Sequence, residues 1–171
     1  MTTSASRRRY PHAAIPTLRE VLQLVKARGL YLNIEVKDVM GKREQYRDLA
    51  LRAAELVEAG GTTEQVIFSS FNHTTMVRLK QAYPHMKAGL LHFAGLHLAG
   101  RYARSAGADA LHPLYIGVNE DMIREAHAAG IAVHAWTVND RPELGRMLAC
   151  GVDAIITDVP DVCAEVKGAG V

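Results

Sequence analysis

Residues 31–38 read YLNIEVKD, and this stretch decides the architecture. Leu32, Ile34 and Val36 alternate with Asn33, Glu35 and Lys37, the period of two that sends successive strand side chains to opposite faces. A half-buried strand would show its polar row to water. This one, however, lies between two amphipathic helical patterns, which is how a βαβ unit reads when helices cover the outer face of its strand. The row Asn33, Glu35, Lys37 must then face the interior of a larger assembly of strands.

Upstream, IPTLREVLQLVKARG carries a capping-box pair, Thr17 and Glu20, and an apolar stripe of Leu18, Val21, Leu22 and Val25. Its last turn is basic and Gly29 stops it, so a helix is expected between Thr17 and Gly29. From YLNIEVK onward, the strand-like segments YLNIEVK, QVIFSSF, KAGLLHF, ADALHP, IAVHAWTV and DAIITD each precede a helical pattern. Those helices run through Leu49 to Gly60, through Met76 to Tyr83, from Leu96 to Ala106, from Asn119 to Gly130, from Asp140 to Gly151, and onward from Pro160. About six strands, each followed by a helix, require a parallel sheet with right-handed crossovers. A doubly wound sheet and a piece of a (β/α) barrel both satisfy that pattern. Doubly wound strands are apolar on both faces, whereas here Asn33, Glu35, Lys37, Ser69, His134 and Trp136 gather on one face and towards the strand C-termini, where barrels carry their chemistry. The expected fold is α/β, a partial TIM-like barrel of about six parallel βα units. No sequence repeat stands out beyond this alternation.

The 171 residues suit one domain, and 49% hydrophobic content supplies a core. A net charge of +2, from 20 basic and 18 acidic residues, gives no reason to expect nucleic acid or an anionic membrane as partner. Arg7–Arg9 are followed by no apolar segment of a secretory signal, and residues 1–14 lack periodicity, so they are expected to be a disordered arm. No stretch approaches the ~20 apolar residues of a membrane span. Cys150 and Cys163 have neither metal nor redox spacing and are expected as free core thiols of a reducing compartment, hence a cytoplasmic chain.

The polar residues at or past the strand ends are Glu35, Lys37, Ser69, Ser70, Asn72, His73, His92, His112, Trp136, Thr137, Asn139 and Asp158. No glycine-rich phosphate loop is present. A carboxylate for a hard cation, a lysine for an anion and a tryptophan to wall an apolar or sugar-like group suit an anionic substrate handled with a metal. Each also has a plain structural explanation: a Glu35–Lys37 ion pair, and core packing for Trp136.

IPTLREVL with LNIEVKD, then VIFSSFN, VHAWTVND and GVDAIITDVPD, together resemble the glycerophosphodiester phosphodiesterase family from about Ile15 to the C-terminus. The resemblance implies a (β/α)₈ barrel that splits glycerophosphodiesters into glycerol phosphate and an alcohol. It makes Glu35 the metal-binding glutamate of the third barrel strand, Lys37 a phosphate contact and Trp136 the wall of the glycerol pocket. A calcium or magnesium ion is the implied cofactor, and a glycerophosphodiester or glycerol phosphate the implied small-molecule partner. Ser69, Ser70, Phe71, Asn139 and Asp158 match motif positions of less certain role.

The family's upstream His-Arg-Gly, Glu-x-Asp and His-Asp elements, which bear its acid and base histidines and two metal ligands, have no counterpart in residues 1–14. Residues 15–171 therefore resemble barrel strands three to eight, an incomplete domain with no catalytic histidine identified. Metal binding through Glu35 is expected to be weak, and the chain inactive by itself. Self-association through the two open sheet edges is expected, and a non-catalytic remnant or a glycerol phosphate-binding or self-associating protein is the alternative function. His73, His92, His112 and His134 are expected near the barrel mouth as hydrogen-bonded structural groups.

Overall fold

A computed structural model describes residues 14–38 and 48–169 of the chain. Apart from Ala14, the arm expected over residues 1–14 lies outside the described residues. Helix α1 (Leu18–Arg28) opens on the expected capping box, with the Thr17 amide donating to Glu20 Oε2 at 2.7 Å and the Glu20 amide to Thr17 Oγ1 at 3.3 Å. Gly29 closes it in the left-handed conformation (φ 61°) that a residue without Cβ adopts at least cost.

Six parallel strands follow: β1 (Leu32–Glu35), β2 (Val66–Ser70), β3 (Lys87–His92), β4 (Ala110–Pro113), β5 (Ala132–Ala135) and β6 (Ala154–Ile155). They pair strictly in chain order, β1-β2-β3-β4-β5-β6. Between and after them run α2 (Leu49–Gly60), α3 (His73–Ala82), α4 (Ala99–Ser105), α5 (Glu120–Ala128), α6 (Arg141–Cys150) and α7 (Pro160–Gly168). Consecutive pairing without a reversal of order is barrel topology, and it excludes the doubly wound alternative. The strands are shorter than the apolar runs suggested. The continuous ladder stops at Ala135 and Ile155; Trp136 is held beyond it by an isolated parallel bridge to Leu114, and Thr137 and Asp158 lie on the connecting loops.

Val66 and Phe68, Ala88 and Leu90, Leu111, Val133 and Ala135 turn outward and pack under the helices. There they meet Leu22, Val57, Met76, Leu79, Ile123, Leu144 and Met147, and this sheet-to-helix layer is the hydrophobic core. Cys150 and Cys163 are free but only half buried at its margin.

Two strand starts share a four-residue pattern. Gly107-Ala108-Asp109-Ala110 and Gly151-Val152-Asp153-Ala154 both place an aspartate just ahead of a strand. Asp109 Oδ2 accepts from the Ala88 amide at 2.8 Å and from Lys80 Nζ at 2.9 Å. Asp153 Oδ2 accepts from the Val133 amide at 2.7 Å and pairs with His127 Nε2 at 2.8 Å. Each carboxylate thus fastens the start of the preceding strand to the helix that leads into that strand, through Lys80 on α3 and His127 on α5.

Candidate functional site

Inward-facing positions are set by register: Glu35 lies opposite Ser69, Ser69 opposite Gly89, and Gly89 opposite Ala110. Strands in a barrel are tilted, so residues at one height are staggered along successive strands. That stagger brings Glu35 on β1 level with Phe71, Phe93 and Trp136, each the first residue beyond its strand. Together with Asn33, Leu91, Thr137 and Ile156 they line a cleft of about 290 Å³ at the C-terminal mouth. A neighbouring hollow of about 490 Å³ is bounded by Glu35, Lys37, Asp38, Ser70, Phe71 and Asn72.

The aromatic wall is a mutual contact of three rings. Phe71 and Phe93 stack at 4.8 Å between centroids, and Trp136 stands perpendicular to both, at 5.5 and 5.2 Å. The indole N–H donates to the His112 carbonyl at 2.6 Å, which fixes the plane of Trp136. Phe93 keeps 67% of its surface in water, although it is as apolar as anything in the core. Phe93 was not among the residues singled out in the sequence. The signal was available: an aromatic stands immediately past the ends of β2, β3 and β5.

Lys37 Nζ lies 3.6 Å from Glu35 Oε2, with side chains 78% and 36% exposed, so the pair is open to solvent and to an incoming anion. Asp38 is committed to the protein. Its carboxylate accepts from Ser70 Oγ and from Asn72 Nδ2, each at 3.0 Å, and from Thr75 Oγ1. Asn139 donates to Asp158 Oδ2 at 2.9 Å and accepts from the Asp158 amide and from Thr157 Oγ1, tying the loop after β5 to the loop after β6. Ser69 is wholly buried in the lumen, and its hydroxyl has no protein partner among the described residues.

The histidines are not gathered at the mouth. His73 opens α3 and bridges Tyr102 Oη (2.7 Å) and the Leu91 carbonyl (2.8 Å). His92 faces away from the lumen and meets the Ala94 carbonyl at 2.8 Å. His112 and His134 lie lower in the barrel with their rings 4.7 Å apart, lining a cavity of about 740 Å³ that opens among the strand starts at Lys87, Asp109 and Asp153. Burial lowers the pKa of all three of His92, His112 and His134, and neighbouring His134 and His92 help push His112 down to about 3. They are neutral at pH 7, and none of them lines the hollow beside Lys37.

Among the described residues no three histidine, cysteine, aspartate or glutamate side chains converge as a cation shell. Asp38 is already saturated, so Glu35 is left as a single carboxylate beside a positive lysine. Calcium and magnesium take six or more oxygen ligands, and this donor set by itself does not fit either ion. Nor is any helix among the described residues long and apolar enough to cross a membrane.

A parallel barrel-type sheet that gathers a lysine, a carboxylate and an aromatic wall at its strand C-termini defines an α/β domain of the barrel class. The chain belongs to the glycerophosphoryl diester phosphodiesterase family, whose pattern it matches over residues 2–162, starting upstream of Ile15. A glycerophosphodiester phosphodiesterase of Caldanaerobacter subterraneus subsp. tengcongensis is 33% identical over 147 residues, covering 86% of this chain and 59% of the relative. One from Bacillus altitudinis is 30% identical over 156 residues, covering 90% and 62%. The chain thus spans about three-fifths of the length of these curated relatives. The fold matches a phosphodiesterase of Oleispira antarctica, solved in complex with sn-glycerol-3-phosphate, at a TM-score of 0.83 and 23% identity over 94% of this chain and 64% of the other. It also matches a glycerophosphodiester phosphodiesterase of Parabacteroides distasonis at a TM-score of 0.80 and 23% identity, over 90% and 64%.

Proposed function

We propose that this chain supplies the substrate-holding part of a glycerophosphodiester phosphodiesterase site, with sn-glycerol 3-phosphate as the half of the substrate it grips. Lys37 offsets phosphate charge, and Trp136, backed by Phe71 and Phe93, walls the glycerol carbons. Glu35 serves as one ligand of a divalent ion only alongside carboxylates from outside the described residues. The observation that carries this reading is the convergence of a solvent-open lysine, a carboxylate and three touching aromatic rings on one mouth. Family membership and a similarly folded phosphodiesterase that holds this product support it.

Hydrolysis is a separate matter. A missing general acid or base costs roughly 10²–10⁴ in rate, and none of the described histidines stands at the mouth beside Lys37. The chain by itself is therefore expected to bind but to turn over poorly. Titration of the chain with sn-glycerol 3-phosphate, followed by calorimetry, tests the binding: saturable association weakened by Lys37→Ala and by Trp136→Ala is expected, and none at millimolar ligand overturns the reading. Glycerophosphocholine supplied with calcium or magnesium tests the rest. Turnover comparable to full-length relatives and abolished by Glu35→Ala would show that the chain carries the whole chemistry.

A further inference from the structure

The ladder of β1 ends at Glu35, and among the described residues β1 pairs with β2 alone. Its last backbone bond is from the Val36 amide to the Ser69 carbonyl at 2.7 Å. Glu35 and Lys37 therefore stand where a strand held from one side tends to fray. Their own ion pair, at 3.6 Å and open to water, fixes little.

What holds this end is Asp38. Its Oδ1 takes Ser70 Oγ, and its Oδ2 takes Asn72 Nδ2 and Thr75 Oγ1. Ser70 Oγ shares its proton with the Val36 carbonyl at 2.7 Å and accepts from the Asn72 amide at 3.0 Å. A single carboxylate so joins the end of β1, the end of β2 and the first turn of α3. Three donors from two elements thus meet on one side chain. Lys37, one residue before the clamp, carries no hydrogen-bonded partner of its own among the described residues beyond the long contact to Glu35.

We propose that Asp38 is a positioning residue: through Ser70, Asn72 and Thr75 it sets the end of β1 so that Lys37 presents one fixed geometry to an anionic ligand. The ligand part of this rests on the function proposed above, whereas the ordering of β1 does not.

The test uses the ¹⁵N-labelled full chain with sn-glycerol 3-phosphate as probe, comparing wild type, Asp38→Ala, Asp38→Asn, Lys37→Ala and the Lys37→Ala/Asp38→Ala double variant. Asp38→Ala is expected to weaken binding about tenfold and to speed amide exchange at Val36 by a similar factor, with exchange at Leu111 and Val133 unchanged. Asp38→Asn keeps an acceptor for Ser70 and should recover part of both. In the Lys37→Ala background, removing Asp38 should change affinity no further, because residues acting as one unit are not additive. Wild-type affinity in Asp38→Ala, or an equal loss with and without Lys37, overturns the proposal. If even the wild type does not bind, the functional reading falls, and Val36 exchange alone decides on Asp38: unchanged exchange in Asp38→Ala sinks it.

Discussion

Acidification should unfold this protein through one buried ring. His112 is wholly buried, neither of its ring nitrogens has a protein partner among the described residues, and its pKa is pushed down to about 3 from 6.5. The folded-state value lies below the unfolded one, so the unfolded chain binds the extra proton first. Stability is at its full value above pH 6.5 and is lost as pH falls from there towards 3. Between pH 7 and pH 5 this amounts to about 1.5 pH units at ~1.36 kcal/mol each, or about 2 kcal/mol from His112 alone. His92 and His134 are lowered in the same direction and add to the wild-type slope. Replacing His112 with leucine removes two unpartnered polar atoms from the lumen. The variant should be close to wild type at pH 7 and lose about 2 kcal/mol less on going to pH 5. Urea titrations at both pH values read this directly, followed by the fluorescence of Trp136, the one tryptophan in the chain. Parallel pH dependences in wild type and variant would refute the reasoning. So would His112 ring protons that titrate near pH 6.5 by NMR, a readout that stands even if the variant folds badly.

Gly89→Ala should destabilise the fold by about 1–3 kcal/mol in the same urea assay, because a Cβ there would lie 2.4 Å from Nε2 of the buried His112 ring. His112→Ala should relieve that penalty when combined with it. Asp109→Ala and Asp153→Ala should each cost about 1–3 kcal/mol, since each leaves a strand amide, of Ala88 or Val133, without its carboxylate; amide exchange at those two positions checks the locality of the effect. Paired with β2 alone among the described residues, β1 offers its outer edge to a second chain, so light scattering across a concentration series should show dimers or larger species. A monodisperse monomer at every concentration overturns that expectation.

The sequence by itself determined the order and type of the elements. Thr17, Glu20 and Gly29 mark a helix by local hydrogen bonding and backbone freedom, and the alternation in residues 31–38 marks a strand, because both signals act within a few residues of chain. It also determined the family, through stretches whose order is itself a sequence property, and with it the candidate roles of Glu35, Lys37 and Trp136. Only the tertiary structure decided which of those side chains meet. Strand tilt brings Glu35 level with Trp136, some hundred positions later, and adds Phe93, whose place just past the end of β3 gains meaning only beside Phe71 and Trp136. The same geometry carried His112 and His134 down into the lumen and His92 out of it, since a histidine near a strand end is aimed by register and stagger rather than by its neighbours in sequence. Asp38 shows the difference most plainly: in sequence it is one more charge after Lys37, and its three partners arrive from residues 70–75 only when β1 and β2 lie side by side.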